Sequence, residues 1–257
     1  MSATAPPHDA IVLDIEGTTT PIAYVYDVLF PYVRRELGAY VGEYLDDVRL
    51  GPPIKWLREE WEADVARGEH PPAWLAEDEG DRAGRVASIV AYAEWLMDRD
   101  RKATGLKALQ GLISRRGYES GSLHGEVYPD VPVAFARWHE AGIPIAIFSS
   151  GSVVAQQNLF STTTHGDLTR WIRHFFDTLV GPKRSPESYG RIAFGMECEP
   201  ERMLFISDVV AELDAAREAG CDTRLCIRGG SGEGSEGSQS SQPANGHTVV
   251  YDFNDVR

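Results

Sequence analysis

The sequence predicts an α/β fold: a doubly wound parallel sheet whose first strand is followed by an inserted block of helices. Three observations lead there. Short apolar runs alternate with helical stripes near both ends of the chain, the pattern of parallel strands covered by helices on both faces. Twice the chain reads helix, Glu-Ala-Gly, strand, with Gly142 and Gly220 suited to the left-handed position just past a helix. Between Pro21 and Glu126 no strand pattern appears, whereas four helical stripes do.

The elements follow in order. "AIVLD", Ala10 to Asp14, is a buried strand ending in a carboxylate. Val25, Val28, Leu29, Tyr32 and Val33 recur at helical spacing, and Pro31 inside that stripe should kink or split it. Ile54, Leu57, Trp61 and Val65 form the second stripe, and the polar, Pro-containing "RGEHPPAWLAEDEGD" after it is a loop. Val86, Ile89, Val90, Ala93 and Met97 form the third, and Leu106, Leu109 and Ile113 the fourth. After "VYPDVP" comes a helix through Phe135 and Trp138, then the strand "IPIAIFSSG". "RMLFISD" is another strand; a helix through Leu213 and Ala216, the strand "TRLCIR" and a short final strand "TVVYDF" complete the order. Residues 1–20 and 130–257 are therefore expected to form the core, and residues 21–129 an inserted helical cap. "GEGSEG", Gly232 to Gly237, formally fits a dinucleotide-binding spacing. No helical pattern follows it, its two glutamates would repel a pyrophosphate, and Ser and Gly dominate around it, so a flexible loop is expected.

Composition limits the function. With 257 residues and 42% hydrophobic side chains, the chain can bury a substantial core. A formal charge of −14 argues against nucleic acid and anionic membranes as partners. It leaves room for an anionic substrate, because a local cation can reverse the local field. No apolar run precedes Ala10, and none approaches a membrane span. The three cysteines, Cys198, Cys221 and Cys226, match no zinc spacing and read as reduced thiols. A cytoplasmic monomer acting on a small molecule is the expectation.

In open parallel sheets, ligands bind beyond the carboxyl ends of the strands. There the sequence places Asp14, then Ser149 and Ser150 before Gly151, then Asp208, with Lys183 in a Gly-Pro turn between the last two strands. Singly, each reads as a cap or a solvated side chain. Together on one rim they supply the parts for phosphoryl transfer. Asp14 can attack phosphorus and form an aspartyl-phosphate. Asp14 and Asp208 offer Mg²⁺ the hard carboxylate oxygens it needs. Ser149 and the N–H groups after it can donate to phosphate at a helix start. Lys183 adds positive charge for the transferring group. Glu16, two residues past the nucleophile, can protonate the leaving oxygen and then activate water.

"DIEGTTTPI", "SSGS", "GPKRSPESY" and "ISDV" resemble the four motifs of the haloacid-dehalogenase-like superfamily. That superfamily usually has Asp-x-Asp-Gly-Thr first, whereas Glu16 stands at the third place here. This departure, with "DVLFPYVRREL", "DRKATGLKALQG" and "SSGSVVAQ", resembles the enolase-phosphatase family of methionine salvage from Ala10 to about Arg228. The resemblance implies a Rossmann-like core with a helical cap and one Mg²⁺ per subunit. The implied substrate is a phosphorylated diketone, 2,3-diketo-5-methylthiopentyl-1-phosphate, enolised and then dephosphorylated to the acireductone 1,2-dihydroxy-3-keto-5-methylthiopentene. By motif it makes Asp14 nucleophile and metal ligand, Glu16 a ligand through its backbone carbonyl, and Asp208 the third protein ligand. Ser149, Ser150 and Lys183 would hold phosphate or substrate, and Glu212, one helical turn after Asp208, would support the site from behind.

Three rival readings stay open. A sugar- or polyol-phosphate phosphatase would share the core and differ in the cap. A dehalogenase would use Asp14 on carbon but leave Asp208 unexplained. An acidic interaction module would leave the whole constellation unexplained.

Overall fold

The computed structural model describes residues 7–76, 79–229 and 245–256. These fall into two compact units, one of which is Tyr26–Leu123 and the other the flanking segments on either side of it.

The helical unit is built from α1 (Phe30–Tyr44), α2 (Gly51–Ala66), α3 (Arg82–Met97) and α4 (Thr104–Glu119). Its core takes in most of the predicted stripes: Val33 of α1, Leu57 of α2, Ile89 and Ala93 of α3, and Leu106, Leu109 and Ile113 of α4 are buried, joined by Leu37 and Val41 of α1, whereas Val28 and Val65 of those stripes are exposed. Pro31 does split the first stripe. Tyr24–Leu29 winds as a π-helical turn, and α1 begins beside Pro31, where a missing N–H costs nothing.

In the other unit, strands β1 (Ala10–Leu13), β2 (Ile145–Phe148), β3 (Ile172–Phe176), β4 (Met203–Ser207), β5 (Asp222–Cys226) and β6 (Thr248–Val250) form one parallel sheet. Their order is β3-β2-β1-β4-β5-β6. β1, β2 and β4 are buried throughout, which explains their uninterrupted apolar sequence. Helices α5 (Asp130–Glu140), α6 (Val153–Ser161), α7 (Pro186–Met196) and α8 (Val210–Glu218) connect them. Gly142 and Gly220 take the expected positive φ after α5 and α8, at 72° and 101°.

β3 is the element the sequence pattern hides. It lies at the sheet edge, "IRHFF" carries two basic residues, and only Ile172 is buried, so no apolar run announces it. The stretch "GEGSEG" lies outside the described residues. From β3 the chain crosses back over β2 and β1 to lay down β4, so the winding reverses around β1. That reversal puts the crevice for a ligand beyond the carboxyl ends of β1 and β4.

Candidate active site

The register Leu13↔Ile206 brings the ends of β1 and β4 level, so Asp14 and Ser207 leave the sheet side by side. Asp14 is 3% exposed. Its Oδ1 accepts from the backbone N–H of Ile15 at 2.7 Å and from Lys183 Nζ at 2.6 Å; its Oδ2 accepts from Ser207 Oγ at 3.1 Å. Lys183 also meets Glu212 Oε2 at 2.7 Å. The Pro182–Ser185 turn that presents this lysine is tied down by two hydroxyls. Ser188 Oγ donates to the Pro182 carbonyl at 2.8 Å, and Tyr189 Oη donates to that of Lys183 at 2.6 Å.

The loop after Asp14 folds into a tight knot. The amides of Thr18, Thr19 and Thr20 all donate to the Ile15 carbonyl, and Gly17 N–H donates to the Thr20 carbonyl at 2.8 Å. Gly17 has φ 72°, and a Cβ on it would stand 2.3 Å from Asp208 Oδ2. Glycine is therefore the residue that lets this loop pass against Asp208.

Electrostatically the site is one-sided. Four carboxylates, Asp14, Glu16, Asp208 and Glu212, share one lysine, Lys183. Burial, then the charges of Asp14 and Glu212, push Asp208 up to about 7. Burial and Asp14 push Glu212 up to about 7 as well. Glu16 is raised by burial first and Asp14 second. Burial alone would lower Lys183, but Asp14 and Glu212 outweigh it and raise it above the ordinary lysine range. The Ser207 hydroxyl agrees with an excess of acid. It lies 3.1 Å from Asp14 and 3.2 Å from Glu212 and carries a single hydrogen for the two.

A crowded set of carboxylates, two of them buried, is the donor chemistry of a hard divalent cation. Among the described residues no three His, Cys, Asp or Glu side chains gather closely enough to hold a metal by themselves. Mg²⁺ does not require that, since it takes one or two carboxylates and keeps waters. The acids at this rim fit Mg²⁺.

Ser149 and Ser150 stand at the end of β2. Ser149 is buried, its N–H donates to the Phe176 carbonyl at 3.1 Å, and its Oγ accepts from Gly151 N–H at 3.1 Å. Ser150 is exposed. Among the described residues neither shares a hydrogen bond with Asp14 or Lys183. α6 begins just beyond, with Ser152 Oγ accepting from Ala155 N–H. Gln156 Nε2 ties this turn to β3 through the carbonyls of Gly151 and Phe176, at 2.8 and 2.9 Å. Sequence reasoning missed Ser207, Tyr189 and Gln156 as supports of the site. Ser207 is the last residue of an apolar strand, and the other two look like ordinary helix residues.

A sequence model of the family described as "Hydrolase: haloacid dehalogenase-like hydrolase" matches residues 8–220. The chain belongs to the haloacid dehalogenase-like hydrolases. Within them it is 46% identical to "Enolase-phosphatase E1" of Synechococcus elongatus, over 86% of this chain and 89% of that one. A longer Ricinus communis protein is named "Probable bifunctional methylthioribulose-1-phosphate dehydratase/enolase-phosphatase E1". It is 43% identical over 86% of this chain and 42% of its own length. Among solved structures, the UTR4 protein of Saccharomyces cerevisiae superposes with a TM-score of 0.69 at 28% identity, covering 97% of this chain and all of that one. At such identity and coverage the chain is a member of the enolase-phosphatase family, a phosphatase branch of these hydrolases. Among the described residues no helix is long and apolar enough to cross a membrane.

Proposed function

We propose that this protein enolises 2,3-diketo-5-methylthiopentyl-1-phosphate and then removes its phosphate, yielding the acireductone 1,2-dihydroxy-3-keto-5-methylthiopentene in methionine salvage. The observation that carries this reading is the crowding of four acids beyond β1 and β4, where Asp14 and Glu212 are buried and paired with Lys183 and Glu16 and Asp208 are half-buried beside them. The fused relative's name supports the choice of substrate. A dehydratase acting on methylthioribulose 1-phosphate produces a diketo phosphate, and a fused enolase-phosphatase is the step that consumes it.

Asp14, Asp208 and the Glu16 carbonyl are the groups that would hold Mg²⁺. When bound, Mg²⁺ neutralises the phosphate and polarises the substrate oxygen near it. Glu16 first takes a proton from the carbon bearing the phosphate ester; the electron pair left behind moves onto the neighbouring carbonyl oxygen, giving an enolate that takes up its proton from solvent. In the metal-free site burial first and Asp14 second raise its carboxyl, which favours proton acceptance relative to an exposed glutamate. The Asp14 carboxylate then attacks phosphorus; the new P–O bond forms an aspartyl-phosphate as the ester P–O bond breaks. Glu16 gives its proton to the leaving oxygen. It next takes a proton from water, which attacks phosphorus, releases phosphate and restores Asp14. Lys183 holds Asp14 in place and faces the transferring group with positive charge. Ser149, Ser150 and the N–H groups at the start of α6 bind the phosphate oxygens. The helices of Tyr26–Leu123 act as a cap that selects the substrate. The protein works as a cytoplasmic monomer with one Mg²⁺ per chain.

Mg²⁺-dependent phosphate release, measured on the diketo phosphate beside common sugar and polyol phosphates, tests the reading. It predicts a strong preference for the diketo phosphate and deuterium uptake from solvent at the ester-bearing carbon. Equal or better turnover of a sugar phosphate, with no exchange, would assign the protein to the sugar-phosphate phosphatases instead.

A further inference from the structure

Behind the catalytic loop lies an arginine that neither the motifs nor the mechanism uses. Arg228 follows β5, and its side chain is 7% exposed. Its Nη1 donates to both carboxylate oxygens of Asp130, at 2.9 and 2.8 Å. Nε and Nη2 both donate to one carbonyl, that of Thr18, at 2.9 and 2.7 Å. The guanidinium lies between two aromatic rings, 4.3 Å from the centre of Tyr128 and 4.4 Å from that of Phe253. Asp130 also accepts from the N–H of Phe253 at 2.7 Å, and the N–H of Tyr128 donates to the Thr19 carbonyl at 3.0 Å.

Two successive carbonyls of the loop after Asp14 are thus held from outside. The same residues are tied inward to the site. Thr19 Oγ1 donates to the Asp14 carbonyl at 3.0 Å, the Thr18–Thr20 amides converge on Ile15, and Gly17 passes against Asp208. A displaced Thr18 carbonyl therefore displaces Glu16 and Gly17. A planar, permanently charged fork suits the task, because it can bridge a carboxylate and a carbonyl while stacked between rings. A lysine has the charge but not the fork.

We propose that Arg228, anchored by Asp130, is a positioning residue that sets the backbone of the Glu16–Thr20 turn and so the geometry of Asp14, Glu16 and Asp208. Its kinetic consequence rests on the enolase-phosphatase reading; its structural consequence does not.

Arg228→Ala and Arg228→Lys, made in the full chain, are compared with Met196→Ala, a core truncation in α7 that lowers stability without touching the turn. Amide hydrogen exchange of residues 14–20 is read without Mg²⁺, and steady-state kinetics with it. Exchange in the turn should rise by about tenfold or more in Arg228→Ala. Its kcat should fall by about 10- to 100-fold with KM little changed, as misplacement of reacting groups produces. Arg228→Lys should be intermediate, and it carries the test if the alanine variant does not fold. Met196→Ala should lower the melting temperature with turn exchange and kcat unchanged. Arg228 variants that lose stability as Met196→Ala does, yet keep a protected turn and wild-type kcat, would overturn the proposal. A wild-type protein without Mg²⁺-dependent phosphate release would overturn the functional reading instead, and the exchange data would still decide the role of Arg228.

Discussion

Two groups of acids, each built around a buried aspartate, sit in opposite company in this molecule. In the helical unit Asp64 is fully buried, yet it accepts from Tyr92 Oη at 2.6 Å, from Arg101 at 3.0 Å and from Arg67. Burial works against its charged form, but these three partners outweigh it and hold the carboxyl below the usual aspartate range. Glu60 completes the cluster by accepting from Arg101 at 2.5 Å. Two acids face two arginines, and the account closes within the protein. At the end of β1 and β4, four acids face one lysine, and Asp208, Glu212 and Glu16 are all raised. The matched cluster is a structural joint between α2 and α3. The unmatched one leaves an excess of negative charge that a bound cation would offset. Burial of charge alone does not mark a site; burial without internal compensation does.

The comparison breaks most sharply at the two aspartates. Asp14→Asn should lower phosphate release by about 10³-fold or more, since an amide cannot attack phosphorus. The metal-free protein should melt no lower than wild type, because the substitution removes one of four crowded charges. Retention of near-wild-type activity, with contaminating phosphatase excluded, would refute the nucleophile. Lys183→Ala and Asp208→Asn come next, each costing about a hundredfold in phosphate release. Asp208→Asn should need more Mg²⁺ and Lys183→Ala should not; equal magnesium dependence would contradict their separate roles.

Arg101→Ala probes the matched cluster. Removing a charged partner of Asp64 should cost about 2 kcal/mol of stability, read by denaturant unfolding, with the magnesium requirement unchanged. A variant with wild-type stability would show that Arg67 and Tyr92 suffice.

The smallest effect is in the pH dependence. Asp208 and Glu212 are raised to about 7 from ordinary values of 3.8 and 4.5. Between those limits the folded state holds protons that the unfolded state has lost. Metal-free stability should therefore fall as pH rises from about 4.5 to about 7. Asp64 works in the opposite sense: its contribution is present above its unfolded value and is lost as pH falls through the lowered folded one. Melting curves across pH 4 to 7 with chelator read the first slope, and saturating Mg²⁺ should flatten or invert it. A metal-free melting temperature that climbs through this window would contradict the crowded-acid account.

The sequence displayed the sheet's centre and the helical unit plainly. β1, β2 and β4 are buried on both faces, so their apolar runs cannot be mistaken, and α1 to α4 carry stripes at helical spacing. It hid β3, because an edge strand with Arg173 and His174 has no run to show. The same contrast holds at the site. Asp14, Lys183 and Asp208 were legible because strand ends of a parallel sheet share one rim. Ser207 and Arg228 were not singled out, because their roles depend on which oxygen each meets across the fold, on partners 193 residues from Ser207 and 210 from Arg228. The direction of the Glu16 shift also needed the structure, since burial and a nearby cation push it opposite ways.

The claim at the centre is that the acids beyond β1 and β4 are short of positive charge and that Mg²⁺ supplies it. Calorimetric titration of the metal-free protein with Mg²⁺ at pH 7, in two buffers of different ionisation enthalpy, tests this directly. Because burial and the neighbouring carboxylates push Asp208 and Glu212 up to about 7, binding at pH 7 should release protons, and Asp208→Asn should weaken binding and reduce that release. Absence of binding, or binding with no proton released, would contradict the account.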